Sequence, residues 1–331
     1  MRNKFCALLV MVYVLSFVGF AEALTLRLAG QNPVAHQNSV QMENFKKIIE
    51  EKTGGKIKVK TYPAGQLGDY ALIYEEVSKG TIDMALITIP PKFDQKQQIY
   101  FTPYLVSSWH ELYKLFDPNG WMYKKVSGFH DKMDIKFLGF FMDGFGGLGL
   151  TKEASKPLDP KVPKNVLCRI PNNDVAKLTM TSMGYRTVSV PYADLYTALQ
   201  TGVAEGWYGG AAVHSCLGFR DVVKYYYPMN IYTELEQWLI NKKTWDGLSP
   251  SDQKLIESTV AEINKNAVKI AEQEEIMYQK KLAEAGIKVV KITPEQLKPT
   301  VDYVRKMVWP KLDKVLGKEL TQELIGEYAK K

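Results

Sequence analysis

The chain has 331 residues, of which 46% are hydrophobic and 24% are charged, and its formal net charge is +7 at pH 7. At roughly 100–200 residues per domain, this length predicts two domains with enough chain for a substantial core. Lysine and arginine are scattered among the acidic residues instead of forming one basic stripe. The composition therefore argues against nucleic-acid binding and supports only a mild preference for anionic ligands.

The N-terminal segment predicts a cleaved secretory signal peptide over residues 1–23. Arg2 and Lys4 form a basic start, residues 5–20 are apolar, and the tripeptide AEA supplies small residues at the two positions that a signal peptidase inspects. A retained membrane anchor is the alternative, but the apolar run is shorter than the ~20 residues that span a bilayer. We therefore expect export of the mature chain.

The mature chain begins with an alternation of strands and helices. Strands are predicted over residues 25–29, 56–63 and 81–89, and helices over residues 40–52 and 70–79 between them. Glycines follow both helices, as expected of helix ends. This order is typical of an α/β fold with parallel strands.

The same alternation resumes after residue 135, in a second block. The predicted elements are strands over 135–142, 166–170 and 187–191 and helices over 174–183 and 193–200. A proline- and lysine-rich stretch, TKEASKPLDPKVPK at residues 151–164, separates the two α/β blocks and predicts a surface connection.

The C-terminal quarter is predominantly helical. Ser249, Pro250 and Asp252 predict a capped helix start, and apolar residues then recur at helical spacing up to Gly286. A helix of about 36 residues would be about 54 Å long at 1.5 Å per residue, long enough to brace both blocks. A last strand over 287–292 and amphipathic helices complete the chain.

The sulfur and imidazole residues predict no metal site. The mature chain contains Cys168 and Cys216, which export would allow to form a disulfide, although two buried thiols fit equally well. None of the four histidines is spaced three or four residues from another histidine or from a cysteine. We predict no cofactor.

The segment GFGGLG, residues 144–149, satisfies the G-x-G-x-x-G pattern but lacks its context. A dinucleotide site needs a helix to begin there, whereas prolines follow at 157, 160 and 163. The segment instead predicts a crossing between the two blocks. No G-x-S-x-G motif is present, and nothing in the sequence indicates an enzyme.

Two stretches predict a ligand site. GVAEGWYGG places Trp207 and Tyr208 among glycines, where they form either interdomain core or a ligand platform. VLCRIPNND places Arg169 inside a buried strand. Because a guanidinium cannot be neutralised by deprotonation, a buried one needs an anion. Glu205 or Asp194 could supply it, or an incoming carboxylate could, and the residues alone leave both alternatives open.

Six segments together resemble the extracytoplasmic solute-binding proteins of TRAP transporters, the DctP-type family, over essentially the whole mature chain. They are FKKIIEEKTGGKIKVKTYPAGQLGD, EEVSKGTIDMALIT, TPYLVSSWHELYKLF, VLCRIPNN, PYADLYTALQTGVAEG and TWDGLSPSDQKLIESTV. The resemblance implies a two-domain α/β periplasmic-binding-protein fold with crossing hinge strands and a long C-terminal helix spanning both domains. The implied domains are residues 24–145 plus 235–274, and residues 146–234 plus 275–331.

The resemblance also implies roles for individual residues. In the family an arginine at the position of Arg169 pairs with the substrate carboxylate, and the donor fork of a guanidinium suits a carboxylate. Asn172 stands where the family has an asparagine after the proline. The opposite wall of the cleft would contain Gln31, His36 and Tyr70, together with Thr88.

Three positions depart from the pattern of relatives that bind more polar acids. Gly146 replaces a second arginine, Thr88 replaces an acidic residue, and Gly209 replaces an asparagine beside Trp207 and Tyr208. A second carboxylate or many hydroxyls would then be buried without partners. We therefore expect a carboxylate with an apolar or aromatic body, such as a 2-oxo acid, an aromatic acid or a small fatty acid. Sugar acids and C4-dicarboxylates fit this cleft less well.

The resemblance implies a periplasmic protein that captures this ligand by domain closure. Its partners would be the small and large membrane subunits of a TRAP transporter, with an accessory periplasmic protein as a further candidate. Two alternatives are a scaffolding protein with a degenerate cleft and a secreted enzyme acting on a carboxylate substrate.

Overall fold

The structure is a computed structural model that describes residues 23–106 and 108–328. The predicted signal peptide lies outside the described residues except for Ala23, its last residue. None of the helices in the described part of the chain has both the length and the apolar character needed to cross a membrane.

The described residues form eleven strands and thirteen helices. The strands are β1 (Leu24–Gly30), β2 (Ile57–Tyr62), β3 (Met84–Ile87), β4 (Ile135–Phe145), β5 (Gly147–Leu150), β6 (Leu167–Ile170), β7 (Arg186–Ser189), β8 (Gly206–Gly209), β9 (Tyr225–Tyr227), β10 (Thr233–Asn241) and β11 (Lys288–Val289). The helices are α1 (Gln37–Lys52), α2 (Tyr70–Lys79), α3 (Trp109–Leu115), α4 (Trp121–His130), α5 (Asp174–Ser182), α6 (Leu195–Thr201), α7 (Ala212–Gly218), α8 (Lys242–Asp246), α9 (Pro250–Lys265), α10 (Ala267–Glu284), α11 (Pro294–Val308), α12 (Asp313–Leu316) and α13 (Lys318–Tyr328). Short 3₁₀ turns span Gln95–Phe101, Asp131–Met133, Tyr192–Asp194 and Trp309–Lys311.

The strands form two mixed sheets that are joined by crossing segments. The first sheet has the order β2-β1-β3-β10-β4 and the second has the order β11-β9-β5-β8-β6-β7. The chain leaves the first sheet after β4, passes through Gly146 alone and enters β5 of the second, and it returns between β9 and β10. This arrangement confirms the predicted two-part α/β fold with crossing strands.

Strand β4 of the first sheet ends at Phe145 and β5 of the second begins at Gly147, so the division between the sheets falls there. The domain boundaries that the resemblance implies stay predictions. The C-terminal helices cross this division, because Glu323 of α13 accepts a hydrogen bond from Trp121 of α4 at 3.2 Å and pairs with Lys125 at 2.5 Å. The assignment of residues 275–331 to one domain stays a prediction.

The predicted long helix is two helices, which corrects the uninterrupted run expected from the sequence. Helix α9 ends at Lys265 and α10 begins at Ala267, with Asn266 between them at φ −98° and ψ −7°. Asparagine favours a helix interior poorly because its side chain competes for backbone hydrogen bonds. The neighbouring Asn264 side chain accepts a hydrogen bond from the Trp238 indole at 3.1 Å, which ties the end of α9 to β10. Helix α10 still packs on both β4 and α7, so the brace between the two sheets is present.

Cys168 and Cys216 are buried free thiols. Of the two alternatives that the sequence left open, the structure therefore supports the reduced pair.

The proline- and lysine-rich segment lies largely at the surface, as predicted, but it ends in one fully buried lysine. Lys164 has no exposed area. Its ammonium donates to the carbonyl oxygens of Lys156 and Val162, each at 2.9 Å, and to that of Asp159. A single side chain therefore closes the loop by satisfying three carbonyl groups.

Replacing Lys164 by alanine is expected to lower the free energy of unfolding by about 2–3 kcal/mol, because buried carbonyl groups lose a charged donor. The exposed Lys161 in the same loop is the matched control, and Lys161→Ala should change stability by less than about 0.5 kcal/mol. Urea unfolding followed by circular dichroism measures both variants. Equal stability of the two variants would contradict the structural role of Lys164.

Candidate functional site

A small cavity lies where the ends of several strands from both sheets meet. Gln31 follows β1, Thr88 follows β3, and Pro171 follows β6, and all three border the cavity. The carboxyl ends of strands in α/β sheets commonly form ligand sites. The free volume open to water-sized molecules is about 50 Å³. In this conformation the space therefore suits a compact ligand.

Arg169 lies in β6 and is held by neighbours on both sides. It pairs with Val188 of β7 and Trp207 of β8 in the sheet, and only 3% of it is exposed. Its Nε donates to the carbonyl of Val190 at 2.8 Å, and its guanidinium lies 6.0 Å from the centre of the Tyr192 ring. These contacts orient the guanidinium, which borders the cavity.

The internal partners considered for Arg169 do not pair with it. Glu205 binds Lys152 at 2.6 Å and accepts from the backbone of Leu167 at 2.8 Å, and Asp194 is exposed. Within residues 23–106 and 108–328, no aspartate or glutamate forms an ion pair with Arg169. The structure therefore favours an incoming anion over an internal salt bridge.

Burial also shapes the charges around this group. Burial lowers the pKa of Arg169, while the neighbouring tyrosines 70, 192 and 232 act in the opposite direction. Burial, reinforced by Glu236, raises the pKa of Glu234 to about 8. Glu234 borders the same cavity, and at neutral pH most of this carboxyl is protonated. A protonated carboxyl is a hydrogen-bond donor and does not neutralise Arg169.

Trp207 and Tyr208 are buried residues of the second sheet. They lie in β8, so their side chains point to opposite faces of the sheet. Trp207 packs against Phe219, with ring centres 4.9 Å apart, and Tyr208 stacks on Tyr232 at 4.7 Å. Both are buried, and both border the cavity. They are core residues that also form part of the cavity wall.

Seven of the predicted site residues border the cavity. These are Gln31, Tyr70, Thr88, Arg169, Trp207, Tyr208 and Gly209. Gln31 and Thr88 are engaged with each other, because the Gln31 amide donates to the Thr88 hydroxyl at 3.1 Å and accepts from the Thr88 backbone at 2.9 Å. Hydrogen-bonding groups on this wall are thus partly satisfied within the protein.

Three predicted residues do not border the cavity. Asn172 is exposed after the turn at Pro171, and Asn173 borders the cavity and caps α5 through a bond from Ala176 at 2.8 Å. Gly146 lies under the ring of Tyr232, where an added Cβ would stand 2.1 Å from a ring carbon. His36 is buried as the cap of α1 and does not itself border the cavity, although its ring centre lies 4.6 Å from that of His214, which does.

Residues that the sequence did not single out for this site approach from β10, from α7 and from loops and short turns. Tyr192, Tyr232, Glu234, His214 and Phe101 also border the cavity. The segment TELEQWLI carries a signal that could have found Glu234, because two glutamates in an otherwise strand-like run would be costly to bury unless they had a role. Strand β10 is buried along its whole length.

Comparison with known proteins places these observations in a family. A family model described as bacterial extracellular solute-binding protein, family 7 (DctP), matches residues 29–313. A curated relative, the C4-dicarboxylate-binding periplasmic protein DctP of Vibrio cholerae, is 24% identical over 315 residues, which cover 89% of this chain and 88% of the relative.

Solved structures show the same fold. A TRAP periplasmic solute-binding protein from Desulfovibrio salexigens with bound orotic acid matches with a TM-score of 0.83 and 21% identity, covering 92% of this chain and 97% of that chain. The sugar acid binding protein DctPAm from Advenella mimigardefordensis in complex with galactonate matches with a TM-score of 0.84 and 20% identity, covering 93% and 98% of the two chains.

Proposed function

Because this chain belongs to family 7 of the bacterial extracellular solute-binding proteins, we propose that it captures a small carboxylate in the cavity beside Arg169 and delivers it to a TRAP transporter. The observation that carries this proposal is the buried guanidinium of Arg169, which has no ion-pair partner in the described part of the chain. A planar fork of donors suits a carboxylate, which would complete the charge pair.

The surroundings of Arg169 favour a ligand with an apolar or aromatic body. Aromatic side chains make up much of the cavity wall: Tyr70, Phe101, Tyr192, Trp207, Tyr208 and Tyr232. The predicted polar contacts are weakened, because Thr88 is engaged with Gln31 and the Tyr232 ring occupies the space above Gly146. Many hydroxyl groups or a second carboxylate would be buried here without sufficient partners.

The relatives bind acids of several kinds. The Desulfovibrio salexigens protein holds orotic acid, an aromatic carboxylate, whereas the Vibrio cholerae relative is named for C4-dicarboxylates and the Advenella mimigardefordensis protein holds galactonate. A carboxylate is the group that these ligands share. The body of the ligand therefore has to be inferred from this cavity, and an aromatic acid or an apolar 2-oxo acid fits it best.

The fold offers a way to couple binding to a change of shape. The cavity wall combines residues that follow strands of both sheets, and the chain crosses between the sheets at Gly146 and between β9 and β10. A ligand that touches both sides stabilises the closed arrangement over the open one. We propose that membrane subunits of the transporter recognise this closed form in the periplasm.

Titration calorimetry on protein freed of bound ligand by unfolding and refolding tests this function. Benzoate, orotate and 2-oxoisovalerate are the probes, and succinate and N-acetylneuraminate are the comparison ligands. At least one apolar probe should bind with a dissociation constant on the order of micromolar or lower. Tight binding of only the comparison ligands would overturn the proposed ligand class. An absence of binding by all five acids would favour the scaffolding alternative.

A further inference from the structure

A buried cluster of carboxyl and imidazole groups lies next to the cavity, where three chain segments meet. We call it the β10 cluster, and it consists of Asp143 on β4, His214 on α7, and Glu234 and Glu236 on β10. All four residues are at least nine-tenths buried. These positions are far apart in the sequence, which is why the spacing of the histidines indicated no metal site.

The geometry of the two strands brings the three carboxyl groups together. Glu234 and Glu236 are two residues apart, so they lie on the same face of β10. The register shifts here, because Glu234 pairs with Gly144 whereas Leu235 pairs with Met142, which leaves Asp143 as the extra residue of a β-bulge. Bulges redirect side chains and are common beside functional sites. The carboxyl groups of Asp143 and Glu236 are within hydrogen-bond reach of each other.

His214 completes a set of atoms that could surround one ion. Its Nε2 lies 3.7 Å from Oδ2 of Asp143, which is too long for a hydrogen bond, and ligand atoms of His214, Glu234 and Glu236 all lie within 4.8 Å of one another. Ligand atoms bound at about 2.0–2.2 Å from a tetrahedral ion lie roughly 3–4 Å apart. Shifts of about an ångström would therefore bring the cluster to coordination distances.

Buried polar atoms of His214 and of three residues beside the β10 cluster lack partners in the described part of the chain. These are Nδ1 of His214, Nε2 of His36, and Oδ1 of both Asn32 and Asn38. Each belongs to a side chain that is at least nine-tenths buried. Buried polar atoms in proteins are nearly always satisfied, so several in one place indicate a bound ion or water.

The hydrogen bonds of His36, Asn32 and Asn38 indicate that these neighbours of the β10 cluster are supporting residues and not metal ligands. His36 accepts from the backbone of Asn38 through Nδ1 at 3.2 Å, so its neutral ring carries the proton on Nε2 and is a donor there. Asn32 donates to Glu236 at 2.7 Å, and Asn38 donates to Glu236 as well. The two asparagines would orient the Glu236 carboxylate, as outer-shell partners of metal ligands commonly do.

We propose that the β10 cluster is a binding site for one divalent transition-metal cation, Mn²⁺ or Zn²⁺, coordinated by His214, Asp143, Glu236 and Glu234. Imidazole and carboxylate ligands together suit these ions. No lysine or arginine in residues 23–106 and 108–328 forms an ion pair with the three carboxyl groups, so a cation that displaces their protons would provide the positive charge of the cluster. His214 and Glu234 also border the ligand cavity, which provides a route of entry.

Metal analysis of the untagged mature protein tests this site independently of the organic ligand. After treatment with EDTA and desalting, the protein is titrated with MnCl₂ or ZnCl₂ by calorimetry, and bound metal is counted by mass spectrometry. We expect one ion per chain for at least one of the two salts and a rise in melting temperature with that ion. Failure of both salts to bind the wild-type protein would overturn the site, and water and protons would then satisfy the cluster.

Isosteric variants distinguish this site from surface binding. Glu236→Gln and His214→Gln should weaken binding of the metal at least about 10-fold, since each removes a ligand. Glu275→Gln is the matched control, because Glu275 is a buried carboxyl outside the cluster that accepts from Ala212 at 2.9 Å. Circular dichroism verifies folding of each variant. If both Glu236→Gln and His214→Gln bound the metal ion with the affinity of the wild-type protein, the ion would be bound at the surface and not in the β10 cluster.

Discussion

Replacing Arg169 by alanine is expected to weaken binding of the carboxylate ligand by about 10²–10³-fold. The ligand carboxylate would enter a buried site without its positive partner, and removal of one partner of a buried charge pair costs about 3–5 kcal/mol. Calorimetry with the tightest acid from the ligand panel measures the change. Arg169→Lys should give an intermediate loss, because lysine keeps the charge but not the two-pronged donor geometry.

Two controls separate anchoring of the ligand from damage to the fold. Arg186 lies on the neighbouring strand β7 with 70% of its side chain exposed, and Arg186→Ala should leave ligand affinity unchanged. The melting temperature of the unliganded Arg169→Ala protein should fall little, because the substitution also removes a buried charge that lacks a counterion. Unchanged affinity in a folded Arg169→Ala protein would refute the role of Arg169 as the anchor.

Replacing Trp238 by alanine is expected to lower the free energy of unfolding by about 3–5 kcal/mol, as large aromatic deletions in protein cores do. Trp238 has no exposed area and lies on β10, between β3 and β4 of the first sheet. Its ring packs 5.4 Å from that of Phe45, and its indole bonds to Asn264 at the end of α9. The substitution therefore removes packing between β10 and α1 and a tie to the helical brace.

Urea unfolding followed by circular dichroism measures the effect of the Trp238 substitution. Ile276→Ala is the control, because Ile276 is 72% exposed on α10 and its loss should change stability by less than about 0.5 kcal/mol. Trp238→Phe should retain most of the stability, since it keeps a ring in the core and loses the hydrogen bond. A loss below about 1.5 kcal/mol in Trp238→Ala would show that the site repacks around the deletion.

Local patterns in the sequence determined the individual elements well. Helix α2 spans Tyr70–Lys79 as predicted, and β2 lies within the predicted strand over residues 56–63. Period-two alternation, helix caps and glycine stops depend on neighbouring residues, so they can be read without knowing the fold. The same reasoning failed at Asn266, where the apolar spacing continues but the helix is interrupted between α9 and α10. Just before this break, the side chain of Asn264 is bound to the Trp238 indole.

The sequence predicted only part of the candidate site. A charge inside the apolar strand around Arg169 indicated that an anion is needed, but the sequence could not tell whether Glu205 or a ligand supplies it. The structure decided against Glu205, because that carboxylate is occupied by Lys152 and the backbone of Leu167. Such competition between partners depends on distances across the second sheet and leaves no local pattern.

By itself, the sequence determined the alternating α/β elements, the buried positive charge at residue 169 and the family resemblance. Only the tertiary structure decided that Asp143, His214 and Glu236 meet, because their proximity requires the pairing of β10 with β4 and the bulge at Asp143. Burial of Lys164 and the position of Tyr232 over Gly146 were decided in the same way. The physical reason is that contacts between distant segments depend on strand register and on packing across sheets, whereas the patterns that reveal single elements arise within a few neighbouring residues.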